Sequence, residues 1–476
     1  MLRWPVLTLS LLVLIAGSAC SKITDKEPAT GFVNVNVVPM TGEKVLHDQT
    51  VLVRKGRIAA MGPSNEVKIP KRALIIEGNG AYLMPGLADM HMHMRADWLG
   101  PNWPVSPMNL YLANGVTTVR CLGPYGKNND YVLQWRKEID EGKLDGPYIF
   151  SSGEILFGPV ENPGEKVREQ KSKGFDFIKI YSFVSREEFS EIMMSAGKEG
   201  IYTAGHIPFS VGLDGVLEHG MDEIAHIEEL DFEFFDFDRT RKSDPLKMFQ
   251  YIISEADNQT EGMKSLGIES LEKRYGEKIS EVLDKLKDKN IPICTTISIA
   301  EIIKNKLLDP EVFRSRPENR YMEKNFFYYF DSEREMHQVM FRGHEELARF
   351  KWNFDRLLLR NLMSAGVPLV LGTDAGGGGM GIVPGFSVHD ELRILTRNGF
   401  SPYEAIKTGT VNPAMVAKRM TGAGDFGTVE AGKRADLVLV RNNPLDDVAA
   451  LKNPLGVMAA GRWYSEEDLA RLITVP

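Results

Sequence analysis

Cysteine is scarce in this chain, which has three among 476 residues, at positions 20, 121 and 294. Three thiols cannot build a disulfide framework. Cys121 and Cys294 each follow an apolar or β-branched run and read as small core residues. A surplus of basic charge is also lacking. Lys and Arg number 57 against 65 Asp and Glu, for a formal net charge of -8, which argues against a nucleic-acid surface built on clustered cations. Beyond the first twenty residues, no apolar run is long enough to span a bilayer. The glycine run Gly376-Gly377-Gly378-Gly379 lacks the Gly-Lys-Ser/Thr ending of a phosphate loop, so a nucleotide site is a poor reading and a flexible loop is the default.

What remains is ordinary in bulk and specific in pattern. A hydrophobic fraction of 43% and a charged fraction of 26% are those of a globular protein. The length suggests a large domain with a smaller one. Residues 1–20 have a different character. Met1-Leu2-Arg3 is a short basic start, Val6 to Ala16 is apolar, and Gly17-Ser18-Ala19 leads to Cys20. This order is that of a signal for export. It is similar to a bacterial lipoprotein signal, with Gly17 standing where a branched apolar residue is usual. The expectation is an exported protein, either lipid-anchored at Cys20 on a periplasm-facing membrane, or periplasmic or secreted after plain cleavage, with an uncleaved anchor as a further alternative.

Residues 21–84 and 421–476 are both β-rich. Phe32-Val33-Asn34-Val35-Asn36-Val37 alternates, Lys55-Gly56 is a turn, and Leu437-Val438-Leu439-Val440 and Val457 to Trp463 read as strands. Two such ends flanking a different middle predict one small β-sandwich domain formed by both termini. Over 85–420 short apolar strands alternate with amphipathic stretches such as Arg186 to Glu199 and Phe354 to Ala365. That pattern predicts an α/β fold, best fitted by a (β/α)8 TIM-like barrel with its chemistry at the C-terminal strand ends. Phe232 to Lys289 and Arg320 to Arg356 exceed a minimal barrel. They read as helical excursions, forming a lid, a homo-oligomer contact or helices packed on the barrel wall.

His91 and His93 follow an apolar stretch and, two apart on a strand, face the same side. One histidine on an apolar face is usually a core residue, whereas two at this spacing form a chelating pair. Lys179 shares a strand face with Phe177 and Tyr181. A buried ammonium must be paired, deprotonated or modified, and carboxylation by carbon dioxide would turn it into an anion able to bridge two metal ions. His206 and His226 each close a short apolar run, about one βα unit apart. Asp374 emerges from Leu369-Val370-Leu371-Gly372-Thr373, where taken alone it would read as a helix cap.

In this order the residues resemble the amidohydrolase superfamily, in the branch of imidazolonepropionase-like proteins and metal-dependent Xaa-Pro dipeptidases. The resemblance runs from about Gly31 to Trp463. It includes Met84-Pro85-Gly86-Leu87-Ala88-Asp89, Gly115-Val116-Thr117-Thr118, Gly372-Thr373-Asp374-Ala375 and the tail from Gly427 to Val438. It implies two divalent metal ions, zinc as the first guess, sharing an activated hydroxide. His91 and His93 would hold the more buried ion and His206 and His226 the more exposed one. Carboxylated Lys179 would bridge them, and Asp374 would be both ligand and proton carrier. The implied activity is hydrolysis of carbon–nitrogen bonds in a small-molecule amide or cyclic amide. An Xaa-Pro-type dipeptidase on the same site, phosphotriester or lactone hydrolysis, and a surface binding protein without catalysis are the alternatives. Tyr181 and His389 are candidate substrate contacts, with Glu391 beside the latter. His219 is expected on a helix surface. His337 and His344, seven apart, read as a solvated helix face.

Overall fold

The computed structural model describes residues 28–126, 129–376 and 380–475. The export segment with Cys20, and Gly377, Gly378 and Gly379 of the glycine run, lie outside the described residues. No helix among the described residues is long and apolar enough to cross a membrane.

Strands β1 (Ala29–Val37), β2 (Leu46–Arg54), β3 (Arg57–Pro63), β4 (Leu74–Glu77) and β5 (Tyr82–Pro85) precede a run of eight more. These are β6 (Leu87–Met92), β7 (Val116–Cys121), β8 (Tyr148–Ser151), β9 (Phe177–Ile180), β10 (Tyr202–Gly205), β11 (Glu223–Ile224), β12 (Ile293–Cys294) and β13 (Leu369–Val370). The chain closes with β14 (Leu437–Val440), β15 (Gly456–Ala459) and β16 (Arg462–Ser465). One eight-stranded sheet, in the order β16-β15-β14-β5-β1-β2-β3 with β4 beside β1, joins both ends of the chain. β14 pairs with β5 across the seam, Leu439 opposite Leu83. The alternation read along β1 breaks at Asn34, whose φ is 53°. The pairing register with β2 shifts there, so Phe32 rather than Val33 shares the fully buried face with Val35 and Val37. Asn tolerates that left-handed conformation, which a β-branched residue would not.

The middle strands are parallel, as the alternation with helices predicts. They form a three-stranded sheet, β6-β7-β8, and a five-stranded sheet, β13-β12-β11-β10-β9. Bonds outside the strands join the two at both edges. Leu156 donates to the Lys179 carbonyl at 2.9 Å and Tyr181 to that of Leu156 at 3.0 Å. On the other side Met90 donates to the Leu371 carbonyl at 2.9 Å and His93 to that of Ala375 at 2.8 Å. Gly372 is needed at this second seam, because a Cβ there would lie 2.3 Å from Cys294 Sγ and 2.5 Å from His91 Cβ. The helices between strands have strong ends. Ser185 and Glu188 form a reciprocal cap on Arg186–Glu199, and Gly200 at φ 58° stops it.

Ala88, Met90, Phe150, Phe177, Cys294 and Val370 pack together within the strand layer. Among them Arg120 and Glu223, both fully buried, form a bidentate ion pair, with the second Arg120 nitrogen 2.7 Å from Glu223 Oε2. Tyr202 adds its hydroxyl to the same carboxylate at 3.1 Å. Cys121 and Cys294 are free and buried, as their apolar neighbours predict. The two excursions form one body. Helix Ile268–Lys289 carries Tyr275 against Phe354 of helix Leu347–Ser364, with ring centroids 5.1 Å apart.

Candidate metal centre

The strand ends bring five residues from four segments into one buried cluster. His91 is the last residue but one of β6, and His93 lies one residue beyond the strand. Lys179 sits within β9, His226 follows β11, and Asp374 follows the short β13. Ring centroids of His91 and His226 are 4.3 Å apart, and those of His226 and His206, which follows β10, are 4.7 Å apart. Ligand atoms of His91, His93 and Asp374 all lie within 4.8 Å of one another.

Which ring nitrogen faces the centre follows from the other one. His91 Nδ1 lies 3.0 Å from the Ala225 carbonyl oxygen and His93 Nδ1 lies 2.8 Å from that of Gly123. A carbonyl only accepts, so each Nδ1 carries a proton and each ring turns its Nε2 to the cluster, bare wherever the ring is neutral. His206 Nδ1 meets Glu229 Oε1 at 2.5 Å, and His226 Nδ1 meets the Thr296 hydroxyl at 2.9 Å. Asp374 Oδ1 then stands 2.9 Å from His93 Nε2 and 3.3 Å from His91 Nε2. Three electron-pair donors facing one another repel unless a cation sits among them. His91 Nε2 and Lys179 Nζ have no hydrogen-bond partner among the described residues, although both side chains are fully buried. Such groups ask for a partner the protein alone does not supply.

The electrostatics agree. Burial, reinforced by His226 and Lys179, holds His91 well below the ordinary imidazole range, so it stays a neutral ligand. His206 and His226 are held low in the same way, with burial the largest cause. Burial brings Lys179 down to about 8, within reach of the free amine that carbon dioxide requires. Burial pushes the Glu229 carboxyl up to about 7.

Two supporting residues were not singled out by the sequence reading. Asp89, fully buried, accepts from His91 N at 3.1 Å, from Thr373 N at 3.1 Å and from the Thr373 hydroxyl at 2.6 Å, tying β6 to the segment that ends in Asp374. Glu229 fixes His206, and also accepts from Ile207 N at 2.9 Å. Its position three residues after His226 was the only hint.

A cavity of about 270 Å³ opens from this cluster. His93, His206, His226 and Asp374 line one end, beside Tyr125 and Tyr181. Tyr181 stacks on Phe157 at 4.4 Å and lies 4.2 Å from the His206 ring, so this candidate substrate contact sits in the site. The rest of the wall is mainly apolar, with Phe235 and Phe249 from one excursion and Phe341 and Phe350 from the other. The excursions therefore roof the site. His389 does not line the cavity. It is buried elsewhere on helix Phe386–Arg397, where burial drives its pKa down to about 4. Glu391 is also outside the lining, and accepts from the Thr295 hydroxyl at 2.5 Å and Ser298 N at 2.6 Å. Closeness to Asp374 in sequence predicts a place in the pocket for both, but helix Phe386–Arg397 holds them outside its lining. His219 is on a helix end with its Nδ1 2.9 Å from the Gly215 carbonyl, as expected. His337 is the reverse case. It is 4% exposed and lines the cavity, whereas a solvated face was expected; His344 instead meets Asp257 at 3.0 Å.

The sequence pattern of the amidohydrolase family matches residues 321–464. Ochratoxinase of Aspergillus niger is 24% identical over 506 aligned positions, covering 91% of this chain and 85% of the relative. A Xaa-Pro dipeptidase solved with bound methionine aligns with this chain at a TM-score of 0.62 and 18% identity, covering 92% of this chain and all of that one (100%). Molinate hydrolase aligns at 0.62 and 17%, covering 94% and 98%. These structural likenesses speak for the fold.

Proposed function

We propose that this protein is an amidohydrolase that hydrolyses carbon–nitrogen bonds of small amides or cyclic amides, with divalent metal held by His91, His93, carboxylated Lys179, His206, His226 and Asp374. The observation that carries the metal reading is the convergence of bare imidazole nitrogens, the Asp374 carboxylate and an unpartnered, fully buried Lys179 amine. Imidazole and carboxylate donors suit zinc, which would acidify water and polarise a carbonyl. The proposed architecture is a (β/α)8 barrel over 85–420, supported by eight parallel strands bonded at both sheet edges. Segments 21–84 and 421–476 would form the β-sandwich, for which the sheet shared by both termini speaks.

The residues divide the work. Asp374 takes a proton from the attacking water and delivers it to the departing nitrogen. Asp89 and Glu229 keep the ligating side chains in register. The aromatic roof excludes water and favours substrates with a bulky apolar group. Tyr181, a hydroxyl in the cavity, favours a second reading in which it anchors the free carboxylate of a dipeptide. Metal analysis followed by a screen of N-acyl amino acids, dipeptides and cyclic amides tests both readings. Hydrolysis lost on chelation and regained with zinc is expected. A protein that is metal-free as purified and indifferent to reconstitution would refute the proposal. Export and a lipid anchor at Cys20 are proposed from residues 1–20 alone. Retention of a Cys20→Ser variant in the membrane fraction would count against the anchor.

A further inference from the structure

His337 belongs to the short helix Met336–Met340 in the roof, and its surroundings dictate where its proton sits. Lys306, on helix Ser298–Leu308, is 2% exposed. Its Nζ lies 2.7 Å from Glu335 Oε1, 2.8 Å from the Met380 carbonyl oxygen and 2.5 Å from His337 Nδ1. An ammonium has three N–H bonds, and these are its three acceptors. Glu335 completes the lock by accepting from His337 N at 3.1 Å. Nδ1 also lies 3.1 Å from Glu335 Oε1, which could accept from an Nδ1–H, but the Lys306 ammonium is nearer, at 2.5 Å, and an Nδ1–H would meet its N–H bonds head-on. Nδ1 is therefore a lone-pair acceptor, and the ring proton is on Nε2. With the Nδ1 edge turned to Lys306, the ring meets the cavity through the opposite edge, and Nε2 has no hydrogen-bond partner among the described residues. Burial and the neighbouring ammonium hold the imidazole below its ordinary range, so it stays neutral. The Glu335 carboxylate opposes the burial that brings Lys306 down to about 8, which keeps Lys306 charged at neutral pH.

We propose that His337 is a substrate-recognition residue, a fixed neutral Nε2–H donor in the cavity roof that receives a carbonyl or carboxylate oxygen of the substrate. A neutral donor among Ile299, Ile303, Met340 and Phe341 gains nothing from a cation. It disfavours a substrate that buries the N–H against a methyl group. The lock also spans three segments, since Met380 lies just past the loop that follows Asp374. The inference deepens the amidohydrolase reading and rests on it for the identity of the ligand, while the tautomer is testable by itself.

Nitrogen NMR of protein labelled with ¹⁵N-histidine, with the His337 resonances identified by their loss in His337→Phe, reports the tautomer at pH 6.5. A neutral Nε2–H ring is expected, and an Nδ1–H ring or an imidazolium overturns the inference. The kinetic arm uses two amides with the same apolar acyl group, one carrying a carboxylate or carboxamide oxygen in the leaving half and one a methyl group there. His337→Phe should raise KM about tenfold for the oxygen-bearing amide, with kcat within about twofold, and should leave KM for the methyl analogue no higher, since the penalty of burying the N–H against the methyl group is removed. His337→Gln, whose amide can accept from Lys306 and still donate into the cavity, should recover most of that loss. Equal losses on both amides, or no recovery with Gln, would overturn the role. Loss shared by carboxylate and carboxamide substrates would assign any oxygen acceptor, and loss confined to the carboxylate would assign an anion. If no amide is turned over, the amidohydrolase reading fails while the NMR result still stands or falls alone.

Discussion

Replacing Asp374 with Asn separates metal ligation from proton transfer. The residue sits at φ 58°, a left-handed conformation that Asn adopts readily, so the backbone should be undisturbed. An Asn oxygen can occupy the place of Oδ1, 2.9 Å from His93 Nε2, and remain a neutral ligand. What it cannot do is hold a proton between the attack of water and the departure of nitrogen. General acid–base catalysis contributes roughly 10²–10⁴ in rate, which at about 1.4 kcal/mol per tenfold is about 3–5 kcal/mol of the barrier. A kcat lower by about 10³, with metal content unchanged by atomic emission, is therefore expected. A series of N-acyl anilides sharpens the test. The loss should grow as the leaving aniline becomes more basic and depends more on protonation. Full turnover with metal in place would refute the role of Asp374, and loss of metal alongside activity would make it a ligand alone.

Lys179→Ala should lose both metal and activity, and added short-chain carboxylates should restore part of each by filling the vacated position; wild-type protein equilibrated with ¹³C-bicarbonate should show a carbamate resonance absent from the variant. Glu223→Gln leaves the fully buried Arg120 without its counter-charge and should destabilise the fold by about 3–5 kcal/mol in urea titrations, whereas a paired apolar replacement of Arg120 and Glu223 should cost far less. Burial raises the Glu391 carboxyl from 4.5 to about 7. A raised carboxyl contributes stability that is fully present below its unfolded value and lost as pH rises through about 7. Unfolding free energy should therefore fall by on the order of 3 kcal/mol between pH 4.5 and pH 8, and Glu391→Gln should flatten that slope.

Much of the site was legible because its donors obey local rules. Residues two apart on a strand share a side, which paired His91 with His93, and a charged residue inside an apolar strand needs a reason, which drew attention to Lys179. His206, His226 and Asp374 stood out because each closes an apolar run. His389 failed the same logic, since proximity in sequence to Asp374 says nothing about where the loop between them turns.

From the order of residues alone came the α/β class, the pairing of β-rich ends and the sites of the two excursions, which depend on periodicity within a few neighbours, while the resemblance to a known superfamily joined the six candidate ligands into one set. The tertiary structure alone decided the rest. The tautomers of His91 and His93 are set by carbonyls at Ala225 and Gly123, the former 134 residues away. The excursions became a roof by packing on each other, and His337 became a cavity residue because Lys306 and Met380 arrive from separate segments. A hydrogen bond acts over about 3 Å of space, whatever the length of chain between its partners.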